Sequence, residues 1–195
     1  GKSFILKGHT GVVCSATYSH DGQRILTASW DRTARVFNAD GSGEPIALKG
    51  HELAVNFAAW SPDDKRIVTV SDDNTARIFK SDGPGEPSVL NGHTDRVNFA
   101  AWSHDGLRIV TVSADWTARV WASDGKSESS IIQGHKGAVL IAGWSANDQH
   151  IFTASEDGTA IIFEPDGLRD PIYLQGHQRA ILGAAWSPNG KRMVT

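Results

Sequence analysis

Cysteine is almost missing from this chain of 195 residues, because Cys14 is its only one. A single cysteine excludes a disulfide within the chain and a cysteine cluster that could hold zinc. This usage fits a reducing compartment, and we expect a cytoplasmic protein. Cys14 lies in the run VVCSATY, where a small apolar strand residue is expected, so we predict a buried thiol.

An excess of one charge and a long hydrophobic run are missing as well. The 19 basic and 22 acidic residues are interspersed and give a net charge of -3. The broad positive field that gathers phosphate backbones is therefore absent, which argues against a nucleic-acid partner. No apolar run approaches the roughly 18 to 20 residues of a membrane helix, so we expect a soluble protein without a membrane partner.

A repeat of 42 residues organises the chain. Glycine-histidine pairs recur at this step without insertion or deletion, and three other columns keep the same step. The histidines are His9, His51, His93, His135 and His177, and a tryptophan before serine recurs at Trp60, Trp102, Trp144 and Trp186, with Tyr18 in the first copy. The threonines are Thr27, Thr69, Thr111, Thr153 and Thr195, and the aspartates are Asp31, Asp73, Asp115 and Asp157. The units are 3–44, 45–86, 87–128, 129–170 and a partial unit 171–195, within a single domain, or part of one, over 1–195.

Each unit contains four short runs of strand type separated by turn residues. In the second copy these runs are PIALK, VNFAAWS, RIVTVS and TARIF. Pairs such as Asp21-Gly22 and Asn189-Gly190 supply the positive φ angles that tight hairpins need. No segment has a helical period, so we predict a four-stranded antiparallel meander for each unit.

The second run is apolar at nearly every position, as in VNFAAW, so both of its faces must be covered. Alanines such as Ala58, Ala59, Ala100 and Ala101 suit a strand that is crowded near a central axis. Blades arranged radially around an axis meet both conditions. The sequence therefore predicts an all-β fold, a β-propeller of four-stranded antiparallel blades with about four and a half repeats in the chain.

The glycine-histidine pair, the S-x-D-x-T turn and the 42-residue unit together resemble the WD-repeat β-propeller family, in the form of a bacterial-type tandem array. The resemblance implies that each unit begins with the outermost strand of one blade and continues with the inner three strands of the next. It also implies a hydrogen-bonded chain of histidine, serine or threonine, aspartate and tryptophan. The third copy has all four, whereas the other copies have phenylalanine in place of Trp121 and lack its N–H donor.

The resemblance thus implies a structural hydrogen-bond network at the repeated positions. Its members are His9, Thr27, Asp31, His51, Thr69, Asp73, His93, Thr111, Asp115, Trp121, His135, Thr153, Asp157 and His177. A histidine, a hydroxyl and an aspartate can also form a hydrolase triad, so an enzyme on a propeller is the alternative interpretation. A triad is needed once, whereas this set recurs in each complete copy, and we therefore predict no catalytic residue and no enzyme.

Metal and cofactor sites are not predicted either. The remaining histidines, His20, His104 and His150, lie at or beside the corner between the second and third runs, in different blades and far apart. No G-x-x-x-x-G-K-[ST] loop is present to hold a nucleotide phosphate. We expect the protein to need no metal and no cofactor.

Differences among the copies indicate where recognition can vary. The turn between the third and fourth runs reads SWDRT in the first copy and SADWT in the third, and arginines precede the inner strands of the third and fifth copies. Tryptophan and arginine are enriched in interface hot spots. We predict a partner-binding patch on one rim; the alternative is that its tryptophans pack against the loop of a neighbouring blade. The patch consists of Trp30, Arg32, Arg96, Trp116 and Arg179.

The fifth unit stops at Thr195 inside its third run, which leaves the ring arithmetically incomplete. Two arrangements are open: the residues are part of a longer propeller, or copies of the chain complete the ring as a homo-oligomer. We expect a non-catalytic scaffold that presents rigid loops to a protein or peptide partner. A purely architectural or engineered repeat protein is a third class, and the divergence of the copies at the rim argues against it.

Overall fold

A computed structural model describes residues 5–83, 85–126, 130–167, 169–187, 190 and 192–195. All regular elements in these residues are β-strands, which form four sheets of four strands and one sheet of two strands. We number these sheets as blades 1 to 5 in chain order. The predicted all-β fold, with four-stranded antiparallel blades of a β-propeller, is confirmed.

The strands follow one another along the chain as an antiparallel meander in each blade. Blade 1 contains β1 (Val13–Tyr18), β2 (Arg24–Ser29), β3 (Ala34–Asn38) and β4 (Ile46–Leu48). Blade 2 contains β5 (Val55–Trp60), β6 (Arg66–Ser71), β7 (Thr75–Lys80) and β8 (Ser88–Asn91). Blade 3 contains β9 (Val97–Trp102), β10 (Arg108–Ser113), β11 (Ala118–Ala122) and β12 (Ser130–Ile132). Blade 4 contains β13 (Val139–Trp144), β14 (Ile151–Ser155), β15 (Ala160–Phe163) and β16 (Ile172–Leu174), and blade 5 contains β17 (Ala185–Trp186) and β18 (Met193–Val194).

The repeat unit and the blade are offset by one strand. The first run of the second unit is β4, yet it pairs with β3 of blade 1, where Leu48 lies opposite Ala34. The same offset recurs at β8, β12 and β16. Each unit therefore begins with the outermost strand of one blade and continues with the inner strands of the next, as the family resemblance implied.

The apolar core lies between the blades. Along β6, Ile67 packs into a cluster shared with blade 1, whereas Val68 packs into a cluster shared with blade 3. Both side chains are 0% exposed. Successive strand residues point to opposite faces, so a central strand between two neighbouring blades must be apolar on both sides. This arrangement explains the continuous apolar runs in the sequence.

The prediction of a buried thiol at Cys14 is wrong, because the residue is exposed. The ladder between β1 and β2 passes from Val13 to Ser15, so Cys14 occupies a β-bulge. Its Sγ reaches the inner strand of the next blade, 3.1 Å from the carbonyl oxygen of Val55. Partial burial of the thiol in that contact raises its pKa.

Candidate functional site

The repeated histidine joins a threonine to an aspartate inside each of blades 1 to 4. In blade 2, His51 Nδ1 lies 2.8 Å from Asp73 Oδ2, and His51 Nε2 lies 2.7 Å from Thr69 Oγ1. An ionised carboxylate only accepts hydrogen bonds, so Nδ1 carries the proton and Nε2 accepts from the threonine hydroxyl. The matching contacts in blades 1, 3 and 4 range from 2.7 to 3.2 Å. In blade 5, His177 Nε2 lies 2.8 Å from Thr195 Oγ1.

The aspartate of this set also fixes two loops of the chain. Asp73 Oδ2 accepts the backbone N–H of Glu52, the residue after the histidine. Its other oxygen, Oδ1, accepts the backbone N–H and the hydroxyl of Thr75, which closes the S-x-D-x-T turn. A single carboxylate therefore holds the glycine-histidine loop against the turn that precedes β7, and four donors lose their partner if it is removed.

Burial and hydrogen bonding set the charge states of these groups. Desolvation lowers the pKa of His51, His93 and His135 despite the opposing attraction of their aspartates, so the rings are neutral at pH 7. Partial burial alone would raise the pKa of Asp157. The hydrogen bonds from Thr159 and from the Lys136 amide outweigh that effect and lower the pKa to about 2.

Among the described residues, only those of blade 3 extend this hydrogen-bonded set to a fourth member. Trp121 Nε1 donates to Thr111 Oγ1 at 2.8 Å, and this hydroxyl in turn faces Nε2 of His93. The indole also meets the edge of the imidazole, with ring centroids 6.4 Å apart. In blade 1 the phenyl ring of Phe37 takes the same place at the same centroid distance, without a donor.

In blades 1 to 4 the histidine side chain and the threonine of each set are buried, whereas His177 and Thr195 of blade 5 are exposed. The side chain of His51 is 2% exposed, that of His93 is 1% exposed, and Thr69 is buried. A nucleophilic triad needs an open approach to its hydroxyl. Burial of these groups in blades 1 to 4 fits the predicted structural role.

Arginines on the third strands cover the glycines of the glycine-histidine pairs. A Cβ on Gly8 would lie 2.5 Å from Arg35 Nη1, and one on Gly50 would lie 3.0 Å from Arg77 Nη1. Gly50 also has a φ of 136°, which a residue with a side chain rarely adopts. The positive φ therefore favours glycine before the histidine, and the guanidinium lies in the space that a side chain would take.

A second repeated contact, which the sequence analysis did not predict, joins neighbouring blades. The guanidinium of Arg24 stacks on Trp60 of the next blade, with its carbon 4.5 Å from the ring centroid. Arg66 and Arg108 stack on the tryptophans of blades 3 and 4 in the same way. The signal was present, since an arginine recurs at the 42-residue step in four of the five copies.

A third contact occurs at every second junction between blades, at blades 1 and 2 and at blades 3 and 4. The backbone N–H and the Nδ1 of His20 in blade 1 both hydrogen-bond to Asp64 Oδ1 of blade 2, at 2.9 and 2.8 Å. His104 repeats both contacts with Asp148 between blades 3 and 4. The sequence shows this pattern at a step of two repeats, because Asp64 and Asp148 stand where the odd copies have glycine, as at Gly106.

Two rims result from the meander. The GH rim carries the glycine-histidine loops and the turns at 72–74 and 114–116. The hairpin rim carries the corners between the first and second strands of the blades, such as 103–107. Trp30 and Trp116 lie on the GH rim and are 57% and 54% exposed. Trp116 has a φ of 70°, a left-handed conformation that is unusual for a bulky residue. Arg32, Arg96 and Arg179 are exposed as well.

The structure brings two of these five residues into one pocket of about 350 Å³ on the GH rim. The pocket spans three blades and is lined by Trp30, Ala54, Asn56, Asp72, Arg96 and Asn98. Arg32, Trp116 and Arg179 do not line it. Asn56 and Asn98 occupy the column of Cys14, and each donates its amide to a carbonyl oxygen of the next blade. Sequence reasoning missed both, although this column changes from asparagine to leucine in the fourth and fifth copies.

The pocket has donors and acceptors at fixed positions. Asn56 Nδ2 donates to Asp72 Oδ1 at 2.8 Å and to the carbonyl oxygen of Val97 at 3.0 Å, which leaves Asn56 Oδ1 as an acceptor. Arg96 supplies a positive charge and Trp30 supplies an aromatic surface. The pocket can therefore contact polar and apolar groups of one ligand together.

The described part of the chain lacks two features, a cluster of metal ligands and a helix that could cross a membrane. No group of three or more histidine, cysteine, aspartate or glutamate side chains there is arranged to hold a metal ion. The same residues contain no helix that is long and apolar enough to span a membrane.

Comparison with known proteins gives a family. The model of the WD domain, G-beta repeat, matches residues 2–38, 44–80, 86–122, 126–164 and 171–195. No curated protein sequence matches the chain. WD40 repeats generally mediate protein–protein interactions, and proteins built from them are generally non-catalytic scaffolds. With five matches that cover most of its length and the blade geometry described above, this chain belongs to the WD40 repeat family.

Proposed function

We propose that the chain is a non-catalytic recognition module that binds a protein or peptide on its GH rim. The observation that carries the proposal is the pocket in which Trp30, Asp72 and Arg96 come together from three blades. Each stands in a column that differs among the copies, whereas the buried histidines and aspartates recur. Variation at exposed positions on a repeated frame is the pattern of a recognition surface.

The chemistry of the pocket suits a peptide segment. The indole of Trp30 offers a large apolar contact at low entropy cost, and Arg96 can pair with a carboxylate. Asn56 Oδ1 can accept a backbone N–H of the bound segment. Because Asn56 is already held by Asp72 and by the inner strand of blade 3, little ordering is needed on binding.

The remaining patch residues, Arg32, Trp116 and Arg179, extend the proposed surface along the GH rim beyond the pocket. We also propose that further blades complete the ring, either from a second copy of the chain or from a longer propeller. Exposed apolar residues on the outer face of blade 1 support this, since Tyr18 is 62% exposed whereas Trp60 in the same column is 5% exposed.

A peptide selection tests the proposed function. Peptides from a random phage-displayed library are selected on the wild-type chain, and their dissociation constants are measured by fluorescence anisotropy. Trp30→Ala and Arg96→Ala are each expected to weaken binding about tenfold or more, since loss of a hot-spot residue costs about 1.4 kcal/mol or more. Leu107→Ala is the control, because Leu107 is 65% exposed on the hairpin rim. Unchanged affinity in both pocket variants would contradict the proposal.

A further inference from the structure

A larger cleft lies on the hairpin rim, where blades 3 and 4 meet. Its volume is about 680 Å³, and its wall combines the hairpin corner 146–150, the connection after β15 and Arg108 of blade 3. None of the residues on the GH rim contributes to it. The cleft is therefore a separate place on the molecule, and it does not depend on the function proposed above.

At the junctions of blades 1 and 2 and of blades 2 and 3, both terminal nitrogens of the corresponding arginine donate to acceptors within the protein. Arg24 Nη1 donates to Ser81 Oγ at 3.0 Å, and Arg24 Nη2 donates to the carbonyl oxygen of Asp64 at 2.7 Å. Arg66 repeats this pattern, with Nη1 2.9 Å from Ser123 Oγ. A serine of the next blade thus takes one arm of the guanidinium at both junctions.

Arg108 lacks this partner at the junction of blades 3 and 4. It stacks on Trp144 at 4.6 Å and donates Nη2 to the carbonyl oxygen of Asp148 at 2.8 Å. Pro165, which has no hydroxyl, stands in the column of Ser81 and Ser123. Among the described residues, Arg108 Nη1 has no hydrogen-bond partner.

The residue 42 positions after Arg108 also differs from the repeat pattern. His150 stands where the other copies have arginine, and it lines the cleft beside Arg108. Its backbone N–H donates to Ser145 Oγ. Its imidazole ring forms no hydrogen bond with the residues that the structure describes. Arg108 Nη1 and the His150 imidazole are thus two groups in one cleft that have no hydrogen-bond partner among the described residues.

The acidic groups of the cleft, in contrast, already have partners. Asp148 accepts from the backbone and imidazole of His104 and from the backbone of Asp105. Asp105 accepts from Ser103 Oγ at 2.6 Å, and Glu164 pairs with Arg169 at 3.1 Å. Asp166 is engaged as well. Each of these carboxylates thus has at least one partner, whereas Arg108 Nη1 and the His150 imidazole have none among the described residues.

We propose that this cleft binds a single carboxylate, presented by an aspartate or glutamate side chain of a partner protein. One oxygen of the carboxylate accepts from Arg108 Nη1 and the other from the imidazole of His150. Two donors match the two oxygens of a carboxylate. The acidic residues around the cleft oppose a doubly charged phosphate more strongly than a singly charged group.

N-acetyl-glutamate amide is the probe, and its binding is followed by NMR of the His150 imidazole in the full chain. N-acetyl-glutamine amide serves as the neutral control ligand, and inorganic phosphate is the dianion. We expect a saturable shift of the His150 signals with the glutamate derivative and none with the glutamine derivative. No saturable response to the glutamate derivative, or equal binding of the glutamine derivative, overturns the proposal. Tighter binding of phosphate overturns the carboxylate assignment.

The sharpest variant is Pro165→Ser, which restores the serine that engages the arginine at the other junctions. It is expected to weaken binding of the glutamate derivative about tenfold, since Arg108 Nη1 then has an internal partner. Pro45→Ser, a proline-to-serine exchange in blade 1 away from the cleft, should leave the affinity unchanged. Arg108→Gln should abolish binding, but it also removes the stack on Trp144. If Arg108→Gln does not fold, Pro165→Ser decides alone, and unaltered affinity in that variant contradicts the proposal.

Discussion

At the scale of the residue, the same three side-chain types can form a catalytic triad or a structural link. Recurrence at the 42-residue step favours the structural role, which stays a prediction, and His51 is almost completely buried between Thr69 and Asp73. The orientation of Cys14 could not be predicted in this way. It depends on a bulge in the ladder, and the apolar pattern of the strand does not reveal a bulge.

The hydrogen bond from Trp121 to Thr111 offers a test at this scale. Trp121→Phe keeps an aromatic ring but removes the donor, and it is expected to lower the free energy of unfolding by about 1 kcal/mol. Thr111→Val removes the acceptor, so the double variant should cost less than the sum of the single variants. Urea unfolding of all four proteins measures this coupling. Strict additivity would show that the bond contributes nothing.

At the scale of the element, the blade and its three inner strands were predictable because their patterns repeat with every copy. The contacts at the junctions between blades were less predictable. They combine residues from two units, and some of them occur only at every second junction. Asp64 illustrates the difficulty: it has a φ of 57°, where Gly106 has 68°, and its carboxylate holds His20 of the preceding blade. A search for a step of 42 residues alone overlooks such a pattern.

The dual role of Asp64 gives a prediction with a matched pair of variants. Asp64→Ala removes the carboxylate and keeps a Cβ in a left-handed conformation, so it should lower the free energy of unfolding by about 1 to 3 kcal/mol. Asp64→Gly loses the same contacts but relieves the backbone strain, and it should cost about 1 kcal/mol less than Asp64→Ala. Thermal and urea unfolding compare the two variants. Equal losses would mean that the backbone at Asp64 is unstrained.

At the scale of the whole molecule, stability comes from cores shared by neighbouring blades and from buried polar sets that recur in blades 1 to 4. The overall architecture was predictable because the repeat is gapless. The pocket on the GH rim was predictable only in part, since Trp30 and Arg96 stand out in the sequence whereas Asn56 and Asn98 do not. Their role depends on three blades meeting near the axis.

The buried histidines predict how the stability of the whole chain depends on pH. The folded pKa of His51, His93 and His135 lies below the unfolded value of about 6.5. The unfolded chain therefore binds more protons as the pH falls, and the free energy of unfolding should decrease below about pH 6.5. A second loss should follow below about pH 4, because the pKa of Asp73 and Asp115 is also lowered in the fold. Urea unfolding between about pH 8 and pH 3 checks both, and a flat profile from pH 7 to pH 5 would speak against buried neutral rings.

The central claim is that the repeated polar sets hold the blades while the GH rim binds the partner. The most direct measurement is the dissociation constant of a library-selected peptide for Trp30→Ala and for Asp73→Asn, each well below its melting temperature. The account predicts a loss of about tenfold or more for Trp30→Ala and wild-type affinity for the less stable Asp73→Asn. Wild-type affinity for Trp30→Ala together with lost binding by folded Asp73→Asn would contradict it.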